Sequence, residues 1–323
     1  MALGCFVSVG RSIEQAVSRV RLAEELGYEA VYVTHIAGRE SLTVLTHYAG
    51  QTERIRLGTG VVPIYTRTSA TMAQTAATID ELSGGRLNLG LGVSHRPVVE
   101  GWHGQTIDKP ASEMREYVAI VRAILRGEDP PAGEKWRTGF RLAGLEPRPD
   151  LPIYVAALSP RMLRLAGEIA DGVVLWLCNP EYIRDVVVPE VAAGRERAGR
   201  PAEGFDVVAA VPSAVTGDAS GPYAAMRHDL LPYFGLPFYR AMLERSGFGD
   251  EIAAFDEAAG RGDGDAMRAA ISDRFIDVLT AVGDEDAVRA GVARYRDAGA
   301  TSPCVGPIPR TDFEATLRAA AAA

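Results

Sequence analysis

Apolar residues in this chain fall into short runs, and each run is followed by a longer segment whose apolar positions have helical spacing. The first run predicts a strand over 2–9. The next segment predicts a helix, because Ser12 and Gln15 have the spacing of a capping box and apolar positions recur every three or four residues up to Leu26, just before Gly27. The pattern therefore indicates repeated strand–helix units from the start of the chain.

The same pattern predicts eight strands in total. The later strands are expected at 29–35, 54–62, 86–93, 152–158, 171–177, 205–215 and 301–308, and helical segments follow most of them. Buried parallel strands read as continuous apolar runs, so this alternation predicts an α/β fold, a (β/α)8 TIM barrel with insertions. A doubly wound sheet is the weaker alternative, because no strand is followed by a complete G-x-G-x-x-G motif.

Two segments interrupt the alternation. Residues 131–150 are rich in Pro, Gly and Arg and predict an insertion with a short hairpin, whereas residues 219–280 predict a mostly helical insertion. No stretch has the composition of a linker, so we expect one domain over 1–323.

Charge and cysteine content narrow the class of protein. The 34 Lys and Arg residues are outnumbered by 42 Asp and Glu, and the resulting net charge of −8 argues against general binding to nucleic acid. Cys5, Cys178 and Cys304 are far apart and are expected to be buried thiols in a reducing compartment. No apolar run approaches the roughly 18 residues of a membrane span. The sequence thus predicts a cytoplasmic protein with no membrane association.

Candidate chemistry is expected at the carboxyl ends of the strands, where (β/α)8 barrels hold their active sites. His35 and His95 lie there without an H-x-H pattern or a nearby strand-end carboxylate, so we expect no metal site. Neither Lys109 nor Lys135 lies on a predicted strand, which argues against a Schiff base. The carboxyl ends of the strands, called here the rim, thus carry few nucleophilic side chains. This predicts that the site binds a large flat cofactor, which carries out the chemistry in place of protein side chains.

Three segments carry a resemblance to a known family: RLGTGVVP (56–63), RTSATMAQTAATIDELSGGRLNLGLGVSHRP (67–97) and AALSPRMLRLAGEIADGVV (156–174). Together they resemble the bacterial luciferase-like superfamily, and more closely its branch that uses the deazaflavin coenzyme F420. The resemblance implies a luciferase-like barrel and an F420-dependent oxidoreductase that moves a hydride between the deazaflavin and a small organic substrate. It also implies a homodimer, for which the Ala, Met and Ile residues of helix 70–82 would supply an apolar face.

The resemblance implies roles for two of the rim positions. The bond Gly60–Val61 would be a non-proline cis peptide that supports the back of the cofactor ring; the alternative is a glycine bulge required for barrel closure. His35 would take part in proton transfer, although Thr34 precedes it where many family members have Asp. The alternative for His35 is a histidine hydrogen-bonded for packing.

Other rim residues are candidates for binding the cofactor. Ser159 is a natural N-cap, Pro160 suits the first helical position and Arg161 adds a positive charge, so the turn predicts an anion site, and the resemblance places a cofactor phosphate near it. A well-capped helix with a solvated arginine is the alternative. The remaining candidates follow the fourth strand and contact either ligand or solvent: Gly92, Ser94 and His95.

Two other functions are compatible with the sequence. One is an FMN-dependent luciferase-like monooxygenase that uses reduced flavin, and the other is a flavin-binding protein without turnover. The substrate pocket is expected to be lined by the 219–280 segment, whose aromatic run at 233–239 forms either an apolar wall or ordinary core and dimer packing.

Overall fold

The computed structural model describes residues 2–7, 9–10 and 12–322. Its strands are β1 (Gly4–Phe6), β2 (Ala30–Val33), β3 (Arg56–Thr59), β4 (Val62–Pro63), β5 (Leu87–Gly92), β6 (Ile153–Ala156), β7 (Gly172–Leu175), β8 (Asp206–Val215), β9 (Ala281–Gly283) and β10 (Ser302–Pro307). They form a closed parallel barrel in the order β1-β2-β3-β5-β6-β7-β8-β10, and β10 pairs with β1. The predicted (β/α)8 barrel is confirmed.

Helices cover the outside of the barrel and one of its ends. They are α1 (Ile13–Glu25), α2 (Ser41–Ala49), α3 (Ser69–Leu82), α4 (Arg96–Gly101), α5 (Pro110–Leu125), α6 (Pro160–Ile169), α7 (Pro180–Tyr182), α8 (Val188–Arg197), α9 (Ser220–Phe234), α10 (Pro237–Arg245), α11 (Gly249–Gly260), α12 (Gly264–Ala269), α13 (Asp273–Leu279), α14 (Glu285–Asp297) and α15 (Phe313–Ala321). The expected cap of α1 is present, since Ser12 Oγ accepts the Gln15 amide at 3.2 Å.

The hairpin predicted within 131–150 is wrong, because the structure contains no strand in that segment. The Glu116 carboxylate on α5 accepts the amides of Lys135 and Trp136 instead, at 3.1 and 3.3 Å. The Trp136 ring packs edge-on against Tyr117, with 5.3 Å between the ring centroids. The 131–150 segment is therefore held by contacts with α5, and not by hydrogen bonds between two strands of its own.

The helical segment after β7 is interrupted. Residues Ile183–Val187 form a π-helical turn between α7 and α8. Pro189 follows two residues later, and it has no amide hydrogen to continue a regular i to i−4 pattern. The π-helical turn ends just before α8, and Pro189 lies in the first turn of that helix.

Side chains fill the inside of the barrel. Tyr32 and Tyr154 are the large members of this interior cluster, which also contains Val174. Tyr154 Oη donates to Asp206 Oδ2 at 2.9 Å, at the end where β8 begins. Phe6 and Val61 pack on the cluster from the opposite, carboxyl end and are only half-buried. Access to the barrel interior is therefore from the carboxyl ends of the strands.

The third strand of the barrel is broken where it passes β5. It divides into β3 and β4, with Gly60 and Val61 between them. Thr59 Oγ1 donates to the Gly90 carbonyl at 2.7 Å and accepts the Gly90 amide at 2.8 Å. A Cβ atom at Gly90 would lie 2.0 Å from the Thr59 carbonyl oxygen. The strands thus approach so closely at this point that β5 has room only for glycine.

Two expectations from composition can be compared with the structure. Cys5, Cys178 and Cys304 are buried free thiols, as predicted. Across the described part of the chain, every helix is too short or too polar to cross a lipid bilayer.

Replacing Gly90 by Ala should destabilise the fold by about 2–3 kcal/mol, because the new methyl group would meet backbone atoms that cannot move aside. Urea unfolding of the variant and the parent protein measures the difference. Gly217→Ala is the matched control, since a Cβ atom there has open space and the change should stay within about 0.5 kcal/mol. Equal stability of the two variants would show that the contact with Thr59 is not tight.

Candidate active site

The carboxyl end of the barrel has an apolar floor, which is formed by Phe6, Gly60 and Val61. The peptide bond between Gly60 and Val61 is cis, as the resemblance implied. A Cβ atom at Gly60 would lie 2.6 Å from Phe6 Cε1, and one at Gly92 would lie 2.6 Å from Val61 Cγ2. The predicted residues Gly60, Val61 and Gly92 are therefore brought together, and Phe6, Gly60 and Val61 are only half-buried.

The backbone turns sharply after β5. Ser94 has a φ of 57°, in the left-handed region that a residue with a side chain seldom occupies. Such conformations cost of the order of 1–3 kcal/mol and are concentrated at functional sites. The turn leads directly to His95, the N-cap of the short helix α4.

His95 belongs to a group of four aromatic side chains, called here the aromatic wall. Its ring lies 5.6 Å from that of Tyr239, Tyr239 lies 4.8 Å from Tyr233, and Tyr233 lies 6.2 Å from Trp176. Burial lowers the pKa of His95, so its imidazole is neutral at physiological pH. Tyr239 is buried and the other three rings are half-buried. The wall joins the turn after β5, the end of β7 and helices α9 and α10.

The aromatic run 233–239 was expected to form either an apolar wall or ordinary packing, and the structure shows residues of both kinds. Phe234 is a core residue, which packs against Phe255 and Phe275 at 5.6 and 5.7 Å. Tyr233 and Tyr239 face the aromatic wall. Sequence reasoning missed Trp176, although a bulky side chain at the carboxyl end of an apolar strand was a signal that could have identified it.

His35 lies at the end of β2 and is held by the beginning of α2. Its Nδ1 atom is 3.0 Å from Ser41 Oγ and 3.4 Å from Glu40 Oε1. Arg67 Nη1 contacts the same Glu40 oxygen at 3.3 Å. Sequence reasoning selected His35 but not these neighbours. A carboxylate at the N-cap of the helix that follows His35 was the available signal.

Glu40 is fixed by several hydrogen bonds at once. Its carboxylate accepts the amides of Leu42 and Thr43, at 3.1 and 2.7 Å, and so caps α2. Burial works in the opposite direction, but the hydrogen bonds from His35, Thr43 and Leu42 hold the pKa of Glu40 well below its ordinary value. The carboxylate is therefore ionised across the physiological pH range.

The turn after β6 has the predicted cap. Ser159 Oγ accepts the Met162 amide at 3.4 Å, and Pro160 occupies the first turn of α6. Arg161 is exposed and makes no hydrogen bond or ion pair within the described residues. The amides at the start of the helix and the unpaired guanidinium can both receive an anion.

The predicted site residues thus occupy three separate parts of one rim. Val61 is bonded to Gly60 and packs against Gly92, whereas His35 and Arg161 make no hydrogen bond or ion pair with that group in the described part of the chain. A search of the same residues finds no group of three or more His, Cys, Asp or Glu side chains placed to hold a metal ion. Burial raises the pKa of the Cys178 thiol, so this residue near the rim is not a thiolate at neutral pH.

Comparison with known proteins identifies the family to which the chain belongs. The model of the luciferase-like monooxygenase family matches residues 1–302. A protein of Mycobacterium tuberculosis named "Putative coenzyme F420-dependent oxidoreductase" is 34% identical over 304 residues, which cover 87% of each chain. The 5,10-methylenetetrahydromethanopterin reductase of Methanolobus tindarius is 32% identical over 291 residues, which cover 88% of each chain.

A solved structure agrees with these sequence relatives. The coenzyme F420 dependent tetrahydromethanopterin reductase from Methanopyrus kandleri superposes with a TM-score of 0.84 at 27% identity. The match covers 99% of this chain and 97% of that one. The likeness therefore extends over the barrel, the rim and the helices that surround them.

Replacing Glu40 by Gln should lower the free energy of unfolding by about 1–2 kcal/mol at neutral pH, because charge-assisted hydrogen bonds to Arg67 and the start of α2 are lost. A carboxyl whose pKa is depressed by folding stabilises above its unfolded pKa, and this stabilisation is lost as the pH falls towards the folded pKa. The difference between the proteins should therefore shrink on acidification.

Urea unfolding at neutral and acidic pH measures this effect, with Glu81→Gln as the control because Glu81 is exposed and makes no side-chain hydrogen bond to a described residue. A stability difference that stays constant as the pH falls would contradict the assigned role of the Glu40 charge.

Proposed function

Because the chain belongs to the luciferase-like monooxygenase family, we propose that it is an F420-dependent oxidoreductase that transfers a hydride between a deazaflavin and a small organic substrate. The main observation in support of the proposal is the apolar floor at the carboxyl end of the barrel. Its half-buried Phe6 and Val61 offer apolar surface to a flat ring at the position where barrel enzymes bind their ligands.

The residues of the rim fit this cofactor. A planar heterocycle matches an apolar floor, and an anionic tail matches the unpaired guanidinium of Arg161 beside the amides at the start of α6. Phe6, Gly60 and Val61 would support the ring, and Ser159, Pro160 and Arg161 would hold the phosphate. When bound, the deazaflavin supplies the two-electron chemistry.

The chain itself supplies positioning and proton transfer. His35 is the proposed acid or base, since an imidazole can donate or accept a proton and this one is oriented by the start of α2. Gly92, Ser94 and His95 would contact the ring or the substrate from the turn after β5.

The aromatic wall supports a more specific substrate class. His95, Tyr233 and Trp176 each leave part of a ring uncovered, and burial keeps the imidazole and the phenols neutral. Arg96, the nearest cation along the chain, is already paired with Glu100. An uncharged alcohol or carbonyl compound that carries an apolar ring suits this surface better than a phosphorylated sugar.

The homodimer and the cytoplasmic location stay predictions from the sequence. The apolar residues of α3 that supported pairing, Met72, Ala73, Ala76 and Ile79, are buried within the chain itself. They therefore no longer support an interface, and light scattering of the purified protein measures the oligomeric state directly.

Titration of the purified protein with F420 and with FMN tests the cofactor. We expect binding of F420 in the micromolar range, and Arg161→Gln should weaken it about tenfold, equivalent to about 1.4 kcal/mol. Arg126→Gln is the matched control, because Arg126 is also exposed and its side chain makes no hydrogen bond or ion pair with a described residue, but it lies at the C-terminal end of α5.

Binding of FMN alone would overturn the proposal for the cofactor. Oxygen consumption that depends on reduced flavin would favour the monooxygenase. F420 binding without turnover of any alcohol or carbonyl compound would favour a flavin-binding protein.

The substrate class can be tested with pairs of alcohols and carbonyl compounds that differ in one apolar ring. In such a panel, Trp176→Ala should lower kcat/KM for the ring-bearing members about tenfold and leave the short aliphatic members nearly unchanged, because only the former reach the aromatic wall. Phe238→Ala is the control, since this ring is 56% exposed. An equal loss for both substrate types in Trp176→Ala would mean that the wall serves packing alone.

A further inference from the structure

The His35 imidazole has two different sides. Its Nδ1 atom faces two oxygen atoms, Ser41 Oγ at 3.0 Å and Glu40 Oε1 at 3.4 Å. Its Nε2 atom makes no hydrogen bond with any residue that the structure describes. A neutral imidazole has one N–H group, and the group bound at one nitrogen decides which nitrogen carries the proton.

Ser41 by itself leaves both tautomers open. Its hydroxyl is fully buried, and at 3.0 Å it can either donate to a lone pair on Nδ1 or accept from an Nδ1–H group. The distance is the same in both arrangements. A second group must therefore decide between them.

Glu40 is that second group. If Nδ1 carried a lone pair, the lone pair would lie 3.4 Å from a carboxylate oxygen, with like partial charges facing each other. If Nδ1 carries the hydrogen, the N–H group points at both oxygen atoms and is attracted to each. The carboxylate cannot turn away, because the amides of Leu42 and Thr43 and the guanidinium of Arg67 hold it in place.

We propose that Glu40 is a positioning residue that keeps neutral His35 in the Nδ1-protonated tautomer. The free lone pair then lies on Nε2, the nitrogen that makes no hydrogen bond with a described residue. A lone pair on Nε2 can accept a proton from a substrate hydroxyl, and an Nε2–H group cannot. The consequence for catalysis depends on the function proposed above, whereas the position of the proton does not.

Nuclear magnetic resonance of protein labelled with ¹⁵N-histidine tests the proposal without cofactor or substrate. Long-range ¹H–¹⁵N spectra recorded above the titration range of histidine distinguish the two tautomers, and the His35→Asn variant assigns the His35 signals among those of the five histidines. We expect the Nδ1–H pattern for His35. An Nε2–H pattern in the unmodified protein overturns the proposal and requires no variant.

Two substitutions separate the effects of the neighbouring oxygen atoms. Glu40→Gln keeps the size of the side chain but removes its charge, and it should reduce the Nδ1–H fraction several-fold. Ser41→Ala should leave the Nδ1–H tautomer in place. If Glu40→Gln has no effect, or if Ser41→Ala alone changes the tautomer, the carboxylate does not set it. Unchanged signals of the other four histidines show that each variant is folded.

A kinetic measurement connects the tautomer with turnover. With a substrate from the panel above, Glu40→Gln should lower kcat about tenfold while F420 affinity and KM stay nearly constant, since only the proton-transfer geometry is altered. An equal loss of F420 affinity would mean that Glu40 shapes the pocket rather than His35. An Nδ1–H tautomer in a protein that does not bind F420 would refute the proposed function and leave the inference about Glu40 intact.

Discussion

The close approach of the third strand to β5 is the constraint on which the mouth of this barrel depends. Thr59 bonds to both backbone groups of Gly90, and the Thr59 carbonyl oxygen occupies the space that a side chain at that position would need. The strand divides immediately beyond this contact. Val61 then fills the space above Gly92, where a Cβ atom would lie 2.6 Å from the valine methyl group. Backbone contact between neighbouring strands therefore produces an apolar floor where a regular strand would have produced a filled barrel.

Three polar residues of the rim are neutral or paired. Burial keeps His95 uncharged, Glu40 is bound by Arg67, and the Cys178 thiol is protonated. Arg161 is exposed beyond the end of β6 and makes no hydrogen bond or ion pair with a described residue. A site of this kind is suited to a ligand with an apolar ring and an anionic tail, and it leaves the redox step to that ligand.

Local patterns in the sequence predicted the parts of the fold that local interactions determine. The strands of the closed barrel lie within the predicted runs except that β4 ends one residue later, at Pro63, whereas the short strand β9 was not predicted. The caps at Ser12 and Ser159 are present because a cap involves residues only three positions apart. The cis bond at Gly60–Val61 could be predicted only through the resemblance, since a glycine bulge has the same local sequence. The hairpin within 131–150 failed because the contacts of that segment with Glu116 lie some 20 residues away, where periodicity carries no information. Trp176 was missed because its role depends on contacts with Tyr233, which lies far away in the sequence. Glu40 was missed although its cap at the start of α2 is local and could have been found.

A crystal structure of the protein with bound F420 tests the central claim most directly. The account predicts that the deazaflavin ring lies against Phe6 and Val61, that the Gly60–Val61 peptide lies behind the ring, and that the phosphate lies near Arg161. A ring bound elsewhere on the rim, or a floor that remains covered by side chains when F420 is bound at another site, would contradict it.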